Sequence, residues 1–471
     1  MGEDKKKSDA LFSLSGASLF LGEVRDGLTM LNMQSTFLLV NKGYDEKQVG
    51  VMFFVFGMAQ FLFQAPSGYI MDYTDRKVLL LSAACVTTTI LTLFTAAFSL
   101  PDGGNLSLMV FIKFLQGAVT AFIPPGLNSI TQGIVGVEGM TGRVSMNEKM
   151  NHLGTALNLL MASVIAFFLY PDFVLLFIVS PVACAGVVYF INRIRPEDID
   201  LDAARGMTKK EDDGAQNTTA LGGDAINNPI VADSIFDVLR NPKLLVFTMV
   251  IFLFHGSNAT ILALVMQSLA IGNGRSGIVM SCLCIIISQG VMIGSAHICG
   301  KYSGKYGRKP LFLIGFFSTP IRCLILTYLV HMRDQVAEAP LYLQLLILST
   351  QVFDGVGAGV FGTMYILVTS DISAGTGRFS LILGITTAAA SIGATVSGYV
   401  GEALAQDLGY TEAFFILSFT ALAPALLYLV GMPETLPSLA KKNQDLKGIA
   451  SEEESLVQTE SGESYDYASV N

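Results

Sequence analysis

The stretch GYIMDYTDRK, residues 68–77, ends an apolar run of membrane length and packs two acids and two bases into its last six residues. The chain repeats the pattern. GKYSGKYGRKP, residues 300–310, stands at the corresponding place further on, and one offset of 232 sets Gly68 on Gly300, Arg76 on Arg308 and Lys77 on Lys309. Self-similarity at a fixed offset marks a duplicated unit. The copies are imperfect in complementary ways: the first keeps the acid Asp72 but has Asp75 opposite Gly307, and the second keeps Gly307 but has Gly304 opposite the acid.

The surroundings of both copies belong to a membrane protein. Of 471 residues, 52% are hydrophobic and only 14% charged, with a mean hydropathy of +0.55, whereas soluble domains carry about a quarter charged residues. Twelve apolar runs, each long enough to cross about 30 Å of hydrocarbon, cover roughly 11–40, 49–71, 78–100, 106–134, 151–170, 172–192, 244–270, 276–299, 310–330, 341–369, 379–404 and 411–432. Continuous runs predict helices, since the strands of a membrane barrel alternate. They divide six and six about residues 194–243, a polar stretch of mixed charge that reads as a flexible linker with a short helix near SIFDVLRNPK. The expected organisation is a six-helix bundle over 1–193, the linker 194–243, a second bundle over 244–433 and a disordered tail 434–471. Lys5, Lys6 and Lys7 precede a span too long for a signal peptide and without a small-residue cleavage site.

With both ends on one side, that side holds 22 of the 29 Lys and Arg, the opposite side four and the spans three. The positive-inside rule then puts both termini in the cytosol, and the plasma membrane is the expected location. Without Trp, tyrosines such as Tyr44, Tyr170, Tyr189 and Tyr342 are the expected interfacial anchors. A glycosylation sequon at Asn105 falls on the outer side, about five loop residues from the bilayer.

The two loops, the twelve spans and the central linker together resemble the major facilitator superfamily, whose loop between spans two and three reads roughly G-x-x-x-D-x-x-G-R-K. The resemblance covers nearly the whole chain. It implies an all-α membrane protein of two pseudo-symmetric six-helix bundles, alternating access, and gating loops at Gly68, Asp72, Arg76 and Lys77 and at Gly300, Gly307, Arg308 and Lys309. Physically, Asp72 at a helix end can pair with Arg76 or Lys77 and with a neighbouring helix N-terminus. The second copy lacks the acid, so its bases are expected to fix topology rather than to latch.

Ionisable residues inside a span are costly and mark function by default. Span one carries LGEVRDGL, with Glu23, Arg25 and Asp26; Glu23 and Asp26 are three apart and share a helix face. The offset of 232 sets His255 opposite Glu23 and Asn258 opposite Asp26 in span seven. The resemblance implies that spans one, four, seven and ten line a central cavity, so these groups should face solute. A carboxylate there could load and release a proton; alternatively Arg25 and a neighbouring acid pair only to fix helices. Span four is similar to the family's R-x-x-Q-G, with Lys113 for the arginine, then Gln116 and Gly117, while span ten reads QVFDGVGAGVFG, with Gln351, Asp354 and Gly355. Lys113 and Asp354 are therefore expected to form a gate or proton relay across the cavity, although lysine lacks the bidentate fork. Pro124 and Pro125 should bend span four. Arg322 in span nine should find a local partner, and Asn128, Asn151 and His152 should either line the inner mouth or cap helices.

No Walker A, HExxH, GxSxG or CxxC pattern occurs, which argues against an ATP-driven pump and an intramembrane enzyme. The sequence reads as a secondary active transporter of a small organic solute by alternating access, coupled to protons. A facilitative uniporter and a non-transporting sensor or scaffold of the same fold remain alternatives. The expected partners are the solute, a proton and the lipid bilayer, for a monomer without nucleic acid, cofactor or metal.

Overall fold

The computed structural model describes residues 2–25, 34, 37–169, 174–207, 232–270, 274–336 and 340–440, and every regular element among them is helical. Asp26 lies outside the described residues, as does the tail beyond residue 440. The first half comprises α1 (Gly2–Arg25), α2 (Glu46–Tyr73), α3 (Lys77–Phe98), α4 (Leu106–Thr120), α5 (Ile123–Leu169) and α6 (Val179–Ile191). The linker contributes α7 (Leu201–Arg205) and α8 (Ile235–Leu239). The second half comprises α9 (Pro242–Asn258), α10 (Ile261–Ala270), α11 (Gly274–Tyr306), α12 (Arg308–Asp334), α13 (Leu341–Ser349), α14 (Gln351–Ser373), α15 (Phe379–Leu408) and α16 (Tyr410–Gly431).

Local chemistry sets the boundaries. Asp45 and Gln48 form a capping box at the start of α2, with Gln48 N donating to Asp45 Oδ1 at 2.7 Å and Asp45 N to Gln48 Oε1 at 3.1 Å. Span four breaks between α4 and α5, just ahead of Pro124 and Pro125, which cannot donate to the preceding turn. Spans seven and ten break as well, at Ala259–Thr260 and at Thr350; Ser397 Oγ takes up the Thr260 N–H at 3.2 Å. Broken spans are tolerated where they line a cavity between helices.

The 47 residues of α5 are two crossings, reversed at Gly136, whose φ of +69° with ψ of 173° is a conformation reserved for glycine. Span five therefore begins near residue 137, well before the expected 151. Its first turns are polar (TGRVSMNEKMN), so hydropathy passes over them; in the structure they meet other helices and the cavity rather than lipid.

The two halves meet where α2 packs along α15 and where α5 packs along α11. Inside each half the same device draws helices together. A Cβ at Gly117 of α4 would collide with the Phe56 carbonyl of α2, and a Cβ at Gly355 of α14 would press on the Ser288 carbonyl of α11. Phe56 and Ser288 are 232 residues apart, so the duplication seen in the loops extends to the helix contacts.

The linker is folded at both ends. Asp200 caps α7 by accepting from Asp202 N and Ala203 N at 2.9 and 3.0 Å, and its own N–H donates to the Gly133 carbonyl at 3.0 Å. The short helix expected near SIFDVLRNPK is α8. After α16, Glu434 accepts from Arg308 N at 2.8 Å and Lys309 N at 3.0 Å, capping α12, so the start of the expected tail is part of the folded bundle. On the opposite face the Asn105 carboxamide accepts from Tyr44 Oη at 2.8 Å and Leu100 N at 3.1 Å. It is occupied by the loop itself, and Tyr44 is buried rather than interfacial.

Candidate transport cavity and its closure

A cavity of about 590 Å³ opens between the halves, walled by α1, α2 and α5 from the first and α9, α14 and α15 from the second. Amides dominate the first wall: Gln60 and Gln64 on α2, and Asn128, Asn147 and Asn151 on α5. Hydroxyls dominate the second: Tyr365 on α14, with Thr387, Ser391 and Thr395 on α15. Tyr365 Oη bonds Thr387 Oγ1 at 2.6 Å and Thr386 Oγ1 at 2.9 Å. Charged and titratable groups complete the wall: Arg25 on α1, Glu148 and His152 on α5, and His255 on α9. The His255 ring stands edge-on to Phe361, centroids 4.9 Å apart, and its Nδ1 is 3.1 Å from the Ile251 carbonyl.

Of the nine residues singled out for the cavity, the structure places Arg25 and His255 on its wall. Glu23, on α1, is buried away from it at 2% exposure. Asn258 turns toward span nine, with Thr319 Oγ1 at 3.5 Å. Lys113 and Asp354 form no relay across the cavity, which corrects the sequence expectation. Lys113 Nζ bonds Gln34 Oε1 and, at 2.9 Å, Gln116 Oε1, within its own half, and Gln116 Nε2 passes the network to Thr92 Oγ1 at 2.8 Å. Asp354 is held within the second half by Arg322 Nη1 and Ser288 Oγ, each at 2.5 Å, and Arg322 Nη2 donates to Gln351 Oε1 at 2.9 Å. The physical reason is burial. Arg322 is fully buried, and a buried cation takes the carboxylate within reach before one across an open cavity. The local partner expected for Arg322 is thus Asp354.

The cavity is sealed on the face that carries the linker, and bonds between the halves make the seal. Asp72 accepts two backbone N–H groups, Ser380 and Leu381, both at 2.9 Å, at the N-terminus of α15. A carboxylate is well matched to the positive end of a helix. The helix end takes both Asp72 oxygens; Arg76 is exposed, and Lys77 Nζ turns to the Met71 carbonyl. A Cβ at Gly68 would strike the Ser380 carbonyl, so only glycine lets α2 approach this closely.

The second loop reaches across too, by other atoms. Gly300 lies against Ser145, whose Oγ donates to the Ala296 carbonyl at 2.6 Å. Arg308 binds Asp371 through Nε at 3.0 Å and crosses to Thr141 Oγ1 through Nη2 at 2.9 Å. Of the bases expected only to set topology, Arg308 therefore bridges the halves, while Lys309 Nζ turns to the Leu429 carbonyl of its own half. Gln132 Nε2 holds the Ala203 carbonyl of the linker, and its Oε1 accepts from Ser370 Oγ, both at 3.0 Å. Gly375 N donates to the linker carbonyl of Gly206 at 2.7 Å, and Arg378 Nη1 to Tyr73 Oη at 2.8 Å.

These contacts expose a second repeat that the sequence reading missed. TGRVS at 141–145 and TGRFS at 376–380 match at an offset of 235. Gly68 packs on Ser380 and Gly300 on Ser145, so each loop of one half seats on this motif of the other. Comparing the entry to span five with the entry to span eleven would have revealed it.

Comparison with known proteins agrees with this architecture. The model of the Major Facilitator Superfamily matches residues 17–336 and 244–459. The chain belongs to the Major Facilitator Superfamily. Two uncharacterized MFS-type transporters of Mycobacterium tuberculosis, from strains CDC 1551 / Oshkosh and H37Rv, are each 33% identical to it over 419 residues, covering 89% of this chain and 92% of theirs. Among solved structures, the proton:xylose symporter XylE bound to 6-bromo-6-deoxy-D-glucose superposes with a TM-score of 0.64 at 13% identity, over 92% of this chain and 97% of XylE. A double-tryptophan variant of XylE gives 0.68 at 14% identity, over 93% and 99%. At those identities the likeness concerns the fold. The protein is a multi-pass membrane protein of a transporter family, and among the described residues ten helical stretches are long and apolar enough to cross a membrane, Leu106–Ala162 at 57 residues being two crossings.

Proposed function

We propose that this superfamily member is a secondary active transporter that carries a small polar organic solute by alternating access, coupled to protons. The observation that carries the reading is the cavity of about 590 Å³ with three helices of each half in its wall, sealed at the linker face by bonds that run from half to half. A volume of this size suits a small ligand, and amides facing hydroxyls suit a solute rich in donors and acceptors. Opening the linker face requires the Asp72, Gly68, Gly300 and Arg308 contacts to part, so the two loops act as the latch of the closed state. Arg76, Lys77, Gly307 and Lys309 shape their turns. Arg25 and His255 are the groups on the wall from the pseudo-equivalent spans one and seven. Titratable side chains on the wall support proton coupling, which is also what the name of XylE states for that protein. In this reading the protein is a monomer in the plasma membrane, with the linker face in the cytosol.

The test is uptake into proteoliposomes from a pool of polar metabolites, with and without an imposed proton gradient. Accumulation against a concentration gradient only when protons flow inward supports the reading. Equilibration without accumulation would identify a uniporter, and no flux of any solute would favour the sensor. Gln60→Leu with Gln64→Leu, which strips amides from the wall, should raise the half-saturating solute concentration by about tenfold or more, the effect of one or two lost polar contacts.

A further inference from the structure

Two titratable side chains on the cavity wall bridge the seam between the halves. Glu148 and His152 are one turn apart on α5 and 18% and 12% exposed, with His152 Nε2 at 3.8 Å from Glu148 Oε2. The other ring nitrogen, Nδ1, is 2.9 Å from Gln289 Oε1 on α11, in the opposite half. Glu148 Oε2 lies against α14, where a Cβ on Gly362 would stand only 3.3 Å from it. His152 Nε2 is buried and, among the described residues, without a hydrogen-bond partner.

As the Gln289 amide is oriented, its oxygen accepts the Nδ1–H, so Nε2 keeps its lone pair toward the carboxylate. Two acceptors then face each other at a distance too long for a hydrogen bond. A single proton resolves the conflict, whether it sits on the nitrogen or on the oxygen, by making one a donor to the other. The proton comes from water in the cavity and returns to it, and no other bond forms or breaks. Without it the acceptors repel, and the bond under load is the one from His152 to Gln289 across the seam.

Among the described residues, the other groups that face this pair are few. On the cavity wall they are Arg25 of α1, His255 of α9 and Tyr365 of α14, while α15 presents hydroxyls and α11 the neutral Gln289. Glu23 lies buried a half-turn before Arg25. On α5 itself, Arg143 is held by Asn147 Oδ1 and Ser15 Oγ, and Lys149 follows Glu148 in sequence.

Resting on the proton-coupled reading above, we propose that Glu148 and His152 together form the proton-carrying site, and that Gln289 transmits its state to the second half. The test uses the full chain in lipid nanodiscs, labelled through Glu197→Cys and Lys305→Cys, two exposed positions on the linker face, the first in the start of the linker where it packs on α1 and the second in the second half. Label distances are measured at about pH 5 and about pH 8, the range over which imidazoles change charge. The expected result is a shift between two populations in the parent, lost in both Glu148→Gln and His152→Gln and retained in His297→Gln, an exposed histidine off the cavity. Melting temperatures and monodispersity of the variants establish that they are folded. A parent that does not respond to pH, or a shift that persists in both variants, overturns the assignment. The transport reading fails separately: absence of flux under any gradient sinks that reading while the pH response stands. Proton-driven flux that is equal in the parent, Glu148→Gln and His152→Gln sinks the site while transport stands.

Discussion

The two halves pose one packing problem and answer it with different chemistry. Beneath Gly117 the first half buries a lysine among neutral dipoles, Gln34 and Gln116, whereas beneath Gly355 the second buries a full ion pair, Arg322 with Asp354. The same contrast holds at the linker face, in the same order. The first loop closes with a carboxylate on a helix end, and the second closes with a guanidinium between Asp371 and Thr141. Backbone proximity is what the duplication preserved; charge was free to move to whichever helix could satisfy it. Glycine positions and the loop bases Arg76/Arg308 and Lys77/Lys309 recur along the two halves, but the acids and the buried charges of the spans do not.

The largest expected effect breaks the ionic half. Arg322→Met leaves Asp354 buried without its cation, which should cost about 3–5 kcal/mol and show as a large fall in melting temperature in detergent. Adding Asp354→Leu should restore most of it, because no unpaired charge remains. Lys113→Met removes a charge with only dipoles for partners and should cost no more than about 1 kcal/mol. Equal losses in the two halves would erase the distinction drawn between them.

Next in size is the latch. Asp72→Ala deprives two helix N–H groups of a charged acceptor, worth about 1.5–3 kcal/mol, and should move the Glu197–Lys305 label distances toward an open linker face by about tenfold or more in population. The glycines give a sharper contrast. Gly68→Ala drives a methyl into the Ser380 backbone and should open the face nearly as much, whereas Gly300→Ala meets only the Ser145 side chain, whose Oγ can rotate away though its Cβ, 2.5 Å off, cannot. A smaller shift at Gly300, abolished by adding Ser145→Gly, would establish that the second seat is the softer one. The smallest effect belongs to Arg308→Lys. Lysine keeps the charge opposite Asp371 but loses the fork that reaches Thr141, and the label shift should correspond to less than about 1 kcal/mol.

The all-α membrane fold and both loops were legible because hydropathy and a fixed offset report them directly. The cavity was legible only in part. Arg25 and His255 stood out as polar residues in apolar surroundings and His152 as a residue of the inner mouth or a helix cap, but Glu148 sits in a polar stretch that resembles a loop until the helix through it is seen. Lys113 and Asp354 were recognised as buried charges, yet sequence carries no distance between spans, and each found a nearer partner in its own half. Asp72 was expected to pair with an adjacent base and with a helix end; which helix end it meets depended on α15 arriving from more than 300 residues away in sequence.

The reciprocal seating of Gly68 on Ser380 and of Gly300 on Ser145 has the form of an isologous interface, one patch used twice about a two-fold axis. Such an interface specifies its own assembly and does not need the peptide that joins the partners. A chain cut between residues 208 and 231, expressed as two fragments, should therefore reassemble in the membrane and co-purify, with the linker ends at 200–207 and 232–241 still docked.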